Sequence, residues 1–408
     1  MKEKIKEERF LVILLAAIQF AHIVDFVVIM PLGPFLIEKL NISPAQFGSL
    51  VSSYNYAGAV GGILFGIIAD RFGKKAMLSS VMLGFIIGTT LCGLASDYQT
   101  LFAARVFTGA FGGILNALIL AIIADLIPFE RRGKALGTVM SSFSIASVFG
   151  IPIGLLIADH FGWQWTFLFI STFSFLILIA VLKILPSLTD HIQKTDPLKI
   201  LKRYFNICTN RDYFKAYSLI FTVSFTMFLL IPFLAPYAVK NIGMATTDMK
   251  YMYFFGGCAT VITARLFGRL TDQHGAYKMY TILALLSLLP VYLYTNSGPL
   301  TIVGYILMGT LFMTIVTGRM VPCMTLISSV PNQRDRGSFM LILNSTRAIG
   351  SATSTLLGGI IIQEKSNKLF HFEKAGYLSM ALVLLSLILA KFINASKHKV
   401  EKSEPDIL

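Results

Sequence analysis

Gly66-Ile67-Ile68-Ala69-Asp70-Arg71-Phe72-Gly73-Lys74-Lys75 is answered 202 residues later by Gly268-Arg269-Leu270-Thr271-Asp272-Gln273-His274-Gly275, with Gly, Asp and Gly at the same spacing in a chain of 408 residues. A second pair has a similar offset: Arg131-Arg132-Gly133 and Arg334-Asp335-Arg336-Gly337. Both pairs fall in short charged breaks between long apolar runs. Self-similarity over half a chain, punctuating apolar runs, is the mark of a duplicated membrane protein.

Composition agrees. The chain is 55% hydrophobic and 14% charged, with mean hydropathy +0.72. A bilayer needs roughly 20 apolar residues per helical crossing. The runs predict an all-α polytopic protein with twelve transmembrane helices, near 10–37, 45–69, 75–96, 98–127, 133–158, 164–185, 214–240, 248–271, 276–295, 299–327, 337–362 and 375–395. The longest polar break, 186–213, with Pro186 and Pro197, divides them six and six. The expected organisation is a bundle over 1–185, a cytoplasmic linker over 186–213, a second bundle over 214–395 and a disordered cytoplasmic tail over 396–408.

The formal charge of +14 raises nucleic-acid binding, so charge placement has to decide. With the N-terminus in the cytoplasm, only Lys39, Lys240, Lys250, Lys365, Lys368 and Lys374 lie outside, and Arg105, Arg319 and Arg347 lie within spans. The remaining 26 of the 35 Lys and Arg face the cytoplasm. That positive-inside bias puts both termini and the central break on the cytoplasmic side of the cell membrane and accounts for the basic charge without nucleic acid. The basic start (Lys2, Lys4, Lys6, Arg9) precedes an apolar run too long for a signal peptide, so it reads as a retained first span.

Cys92, Cys208, Cys258 and Cys323 are scattered, with no C-x-x-C pair and no metal-ligand spacing. No P-loop and no nucleophile elbow occur. The expectation is no metal, no cofactor and no enzyme activity.

Chemistry concentrates in the few polar residues inside spans. A carboxylate at the depth of Asp25 is costly unless water or a partner compensates. It reads either as a proton or substrate ligand or as half of a structural polar pair. His22, three residues earlier, shares its helix face. Arg105 would face a cavity and act on a nearby carboxylate or hold an anionic group; the alternative is snorkelling to the outer interface. Arg319 and Arg347 are further buried cations that either serve function, or join helices by hydrogen bonds or snorkel to the cytoplasm. Asn55, Tyr56, Asn116 and Asn344 either line a cavity or join helices. Gly66 and Gly73 permit close approach at the loop they flank, and Gly150 with Pro152 predicts a kink, since Pro removes one helical hydrogen bond.

Twelve spans, the six-plus-six division and Gly66-x-x-x-Asp70-Arg71-x-Gly73-Lys74-Lys75 together resemble the major facilitator superfamily over the whole chain. Further stretches are similar to its drug:proton antiporter branch, with arabinose- and purine-efflux-like members. They are Asp25-Phe-Val-Val-Ile-Met-Pro31-Leu-Gly33-Pro34, Arg105-Val-Phe-Thr-Gly109, Gly150-Ile-Pro152-Ile-Gly154, Gly162-Trp163-Gln164-Trp165 and Gly318-Arg319-Met-Val-Pro322. Ile151 separates a Gly and a Pro that are adjacent in the family's antiporter motif, Gln164 replaces an Arg, and Lys74 stands where Arg is commoner.

The resemblance implies two bundles rocking around a midplane cavity. It implies that Asp70, with Arg71, Lys74 and Asp125, forms a charge cluster closing the cytoplasmic side against a helix dipole near span 11. Gly268, Asp272 and Gly275 repeat that gate in the second half. It implies a proton-coupling role for Arg105, and packing of the Gly150, Pro152 and Gly154 segment against span 8. The expected function is proton-coupled export of a small organic molecule by a monomeric transporter, its partners being that substrate, protons and the lipid bilayer. Open alternatives are a facilitator or importer of a sugar- or nucleoside-like solute, and a non-transporting receptor or scaffold.

Overall fold

The computed structural model describes residues 2–68, 73–185, 197–332 and 335–403. The first half comprises α1 (Lys2–Val28), the short α2 (Gly33–Lys39), α3 (Pro44–Ile68), α4 (Lys74–Leu94), α5 (Tyr98–Leu126), α6 (Phe129–Ile145), α7 (Ile151–Phe161) and α8 (Trp163–Ile184). After α9 (Pro197–Thr209) come α10 (Arg211–Phe228), α11 (Leu234–Tyr237), α12 (Met249–His274), α13 (Ala276–Thr295), α14 (Ile302–Gly318), α15 (Met320–Ser328) and α16 (Arg336–Ile361). An antiparallel hairpin, β1 (Gln363–Lys365) with β2 (Lys368–Phe370), precedes α17 (Phe372–Ser403).

Among the described residues, nine helical stretches are long and apolar enough to cross a bilayer. The long helices α3, α12 and α16 fall outside that set. α3 packs lengthwise on α16, and α12 packs on α7 and the turn before it. Within the first half, α3, α4 and α5 pack together, α4 also meets α8, and α1 meets α6. In the second half α10 packs on α16 and α17, α13 on α17, and α12 on α14.

Residues 40–43, Gly162, 243–248 and the hairpin lie at one end of the molecule, called here the distal face. The start of α1, the end of α8 and α9 lie at the other, terminal face.

The elements depart from the sequence reading in four places. Span 1 is not one helix: α1 stops at Val28, the chain turns through Pro31, which has no N–H to donate, and resumes as α2. The 186–213 break contains the amphipathic α9, and α10 starts at Arg211 inside the expected linker. The tail is not disordered from 396, because α17 stays helical through Ser403. Span 5 is interrupted by a π-helical turn, Ala146–Gly150, closed by the Ile151 N–H on the Ala146 carbonyl just before Pro152, which has no N–H to continue the ladder.

Candidate functional site

Asp25 lies in the last turn of α1, and Arg105 lies two turns into α5. The Arg105 guanidinium donates to the Asp25 carboxylate at 3.0 Å and to the Asp25 carbonyl at 3.3 Å. Both side chains are fully buried, so the pair sits inside the first bundle, and Arg105 does not snorkel. Thr89 on α4 donates its hydroxyl to the second carboxylate oxygen at 3.3 Å. The guanidinium lies 4.3 Å from the Tyr54 ring centroid and 5.9 Å from that of Phe167. Side chains from five helices, two of them aromatic, thus hold one ion pair away from water, the condition under which a charge pair is worth keeping only with close geometry.

Close backbone approach makes this possible. A Cβ on Gly113 would run into the Gly58 carbonyl, and one on Gly109 into the Tyr54 backbone. Small residues therefore let α3 and α5 touch, which brings Tyr54 over Arg105.

Beside the pair runs a polar wall. At 100° per residue, Gln19, His22 and Phe26 share one face of α1, next to Asp25. Arg105, Gly112 and Asn116 share one face of α5, and a Cβ on Gly112 would stand 3.2 Å from the His22 ring. Asn55 lies on the side of α3 opposite the exposed Val60 and Leu64. Asn344 and Arg347 lie on the side of α16 opposite the exposed Ile349 and Ile360. Phe26 stacks on Tyr54 with centroids 5.5 Å apart and reaches Phe228 of α10 at 6.1 Å, so this wall bridges the two halves. Gln19 Oε1, His22 Nδ1, Tyr54 Oη and Asn55 Nδ2 are buried without hydrogen-bond partners.

Arg319 takes a different course. It stands at the break between α14 and α15, buried, donating to the hydroxyls of Ser287 at 3.2 Å and Thr226 at 2.5 Å. That is the helix-joining role.

Asp70 and Arg71 lie outside the described residues, and Gly66 lies within α3. Gly73 caps α4, and Lys74 forms an ion pair with Asp125 at the end of α5, two members of the expected charge cluster. In the second-half loop Gly275 turns at φ +87°, a backbone that favours glycine, while a Cβ on Gly268 would meet open space. Asp272 is exposed.

The Ala146–Gly150 turn and α7 pack against α12, which is span 8 of the sequence reading. Gly150 and Gly154 face α1, where Cβ atoms would strike the Val24 and Val28 side chains. The close approach to α12 is made instead from the other side, by Gly257, whose Cβ would stand 2.9 Å from the Ser147 carbonyl.

Tyr54, Thr89 and Phe167 were not singled out from the sequence. The Tyr54 to Gly58 spacing and the Gly109-Ala-Phe-Gly112-Gly113 stretch carried the signal for a tight α3–α5 contact, but not which aromatic it would press onto the guanidinium.

Comparison with known proteins gives the same architecture. A family model described as Major Facilitator Superfamily matches residues 15–355 and 216–407. Multidrug resistance protein 2 of Bacillus subtilis (strain 168) is 24% identical over 402 residues, 95% of this chain and 97% of that protein. The uncharacterized MFS-type transporter YtbD of the same organism is 25% identical over 334 residues, 80% of this chain and 82% of that protein. Among solved structures, a bacterial homolog of the human lysosomal transporter Spinster, inward-facing and occupied, superposes with TM-score 0.74 at 16% identity, over 98% of this chain and 99% of that one. A POT family transporter in complex with 5-aminolevulinic acid gives 0.76 at 15%, over 94% and 96%. These proteins are transporters and not enzymes. The family match takes in both sides of the 186–213 break, and the chain belongs to the Major Facilitator Superfamily of membrane transporters.

Proposed function

We propose that the chain exports a small organic molecule in exchange for protons, its twelve helical rods crossing the cell membrane as two six-helix bundles over 1–185 and 214–395 that rock about the polar wall between them. The observation that carries the proton-coupled reading is the Asp25–Arg105 pair. A carboxylate at that depth, held by one guanidinium and one hydroxyl, has two states: ionised and paired, or protonated with the guanidinium freed. Phe26, stacked on Tyr54 and touching Phe228 of α10, links that choice to the arrangement of the halves. The relative named for multidrug resistance supports outward transport.

In this reading Gly66, Asp70, Arg71, Gly73, Lys74 and Asp125 form the cytoplasmic gate, Gly268, Asp272 and Gly275 its counterpart, and both termini are cytoplasmic. The test is transport in proteoliposomes with an imposed pH gradient, compared with counterflow without one. Asp25→Asn should lose pH-driven accumulation while keeping counterflow. Retained accumulation would exclude Asp25 as the proton carrier. Impermeant labelling of single cysteines at 38–44 from outside, and of 186–213 only from inside, tests the orientation.

The complete burial of Asp25 and Arg105 inside one bundle favours a second reading, a facilitator in which the pair is structural. Wild-type transport indifferent to the pH gradient would select it.

A further inference from the structure

The charges between the two faces do not balance. Apart from Asp25, the described Asp and Glu residues sit at or near the distal and terminal faces. Apart from Arg265 and Arg269 towards the terminal end of α12, three arginines lie between those faces. Arg105 is neutralised by Asp25, and Arg319 is enclosed by helices and hydrogen-bonded to two hydroxyls. Arg347, near the middle of α16, finds no hydrogen bond and no ion pair among the described residues.

Its surroundings differ from those of the other two. Arg347 is exposed, yet it lies on the face of α16 turned away from the exposed Ile349 and Ile360. Water therefore reaches it from between the bundles and not from the outer surface. It is close enough for its charge to act on His22 of α1, across the interface. The side chains that share this space are neutral donors and acceptors: Asn344 one turn away on α16, and Gln19, His22 and Asn55 opposite, with three of their buried atoms unpartnered. A guanidinium cannot discharge itself by losing a proton, and its fork of N–H groups matches a planar carboxylate or a phosphate in two parallel hydrogen bonds.

We propose that the space between the bundles binds an organic anion, with Arg347 pairing its carboxylate or comparable oxyanion, and His22, Asn55 and Asn344 bonding the polar part beside it. This deepens the transport reading above and rests on it. The substrate supplies the negative charge that the protein withholds. A cationic substrate would meet an uncompensated positive charge at the same point, so the site discriminates by sign. Arg347 acts as a binding residue, and Asp25–Arg105 is left free to titrate.

The test uses full-length protein in everted membrane vesicles with two dyes, the anion carboxyfluorescein and the cation ethidium. Wild type should move carboxyfluorescein in preference to ethidium. Arg347→Gln should cut carboxyfluorescein transport by roughly ten-fold or more, the size of a lost charge-assisted bond, and Arg347→Lys should restore part of it. Equal yield and elution of the variants on size exclusion shows that they fold. Movement of ethidium alone or of neither dye, or unchanged carboxyfluorescein transport in Arg347→Gln, overturns the anion site. Counterflow of carboxyfluorescein without a pH gradient separates this result from coupling. If counterflow depends on Arg347 while a pH gradient has no effect, the anion site stands and proton exchange falls.

Discussion

Asp25 and Arg105 are 80 residues apart in sequence and 3.0 Å apart in space, and neither side chain touches solvent. Their mutual dependence is measurable. Removing one partner leaves an uncompensated buried charge, which costs about 3–5 kcal/mol. Asp25→Ala and Arg105→Ala should each lower the melting temperature of the detergent-purified protein strongly. The double substitution should cost well below the sum of the two, since it removes both charges. Additive losses would show that the pair makes no net contribution.

The second prediction concerns Asp97, between α4 and α5 at the distal face. Its carboxylate accepts from the backbone N–H groups of Thr100 at 3.0 Å and Gln99 at 2.8 Å, while the Thr100 hydroxyl accepts from the Asp97 N–H. The Thr100 backbone bond above all holds this carboxyl below the usual carboxylate range. A folded-state pKa below the unfolded one gives stability that is present above the unfolded value and fades as pH falls through the folded one. Asp97→Ala should therefore lower the melting temperature at neutral pH, and the gap from wild type should close below about pH 4. Asp97→Asn, which can still cap the helix, should lose the pH dependence but keep most of the stability. A gap that persists unchanged into acid would refute the charged cap.

Much of the architecture was legible from the residues because it rests on repeated local signals. Apolar runs of bilayer length, short charged breaks and the doubled Gly-x-x-x-Asp-x-x-Gly loop marked the long helices. The interruptions were less legible. Span 1 reads as continuous through Pro31, whereas the turn at 28–33 follows from packing of α2, where Gly33 lies against Phe47 and Pro236. The π-helical turn before Pro152 likewise depends on fitting Gly150 against Val24. For the site, Asp25, His22, Arg105 and Asn116 stand out as polar letters in apolar text. That Arg105 meets Asp25 rather than the outer interface depends on helix rotation and on the α3–α5 contact, which spacing does not fix.

A third prediction addresses the terminal-face charges. Lys74 and Asp125 tie the start of α4 to the end of α5, and both are partly exposed. A pair in that setting contributes at most about 1 kcal/mol. Lys74→Ala should leave the melting temperature nearly unchanged. If the loop works as a gate with Asp70, Lys74→Ala and Asp70→Asn should both slow transport several-fold while expression stays normal. Wild-type rates in both would reduce the loop to a topological signal.

The last prediction tests whether the halves separate at the distal face. There α3 and α16 are in backbone contact: a Cβ on Gly359 would stand 2.6 Å from the Pro44 carbonyl and 3.3 Å from Gly48 Cα. One turn further in, the Ser52 hydroxyl donates to the Ala352 carbonyl at 2.8 Å, and Tyr56 meets Thr353 at 2.9 Å. If the halves part at this face to release a solute, α3 and α16 must separate. Ser52→Cys with Ala352→Cys, in a background where Cys92, Cys208, Cys258 and Cys323 are replaced by Ala, should cross-link under mild oxidation. Cross-linked protein should bind substrate from the terminal side only, and turnover should stop. Reduction with dithiothreitol should restore it. The single variants serve as controls for damage by either cysteine alone. If the cross-linked protein transports at the rate of the reduced form, the seam does not open during the cycle, and rocking about this interface is excluded as the transport motion.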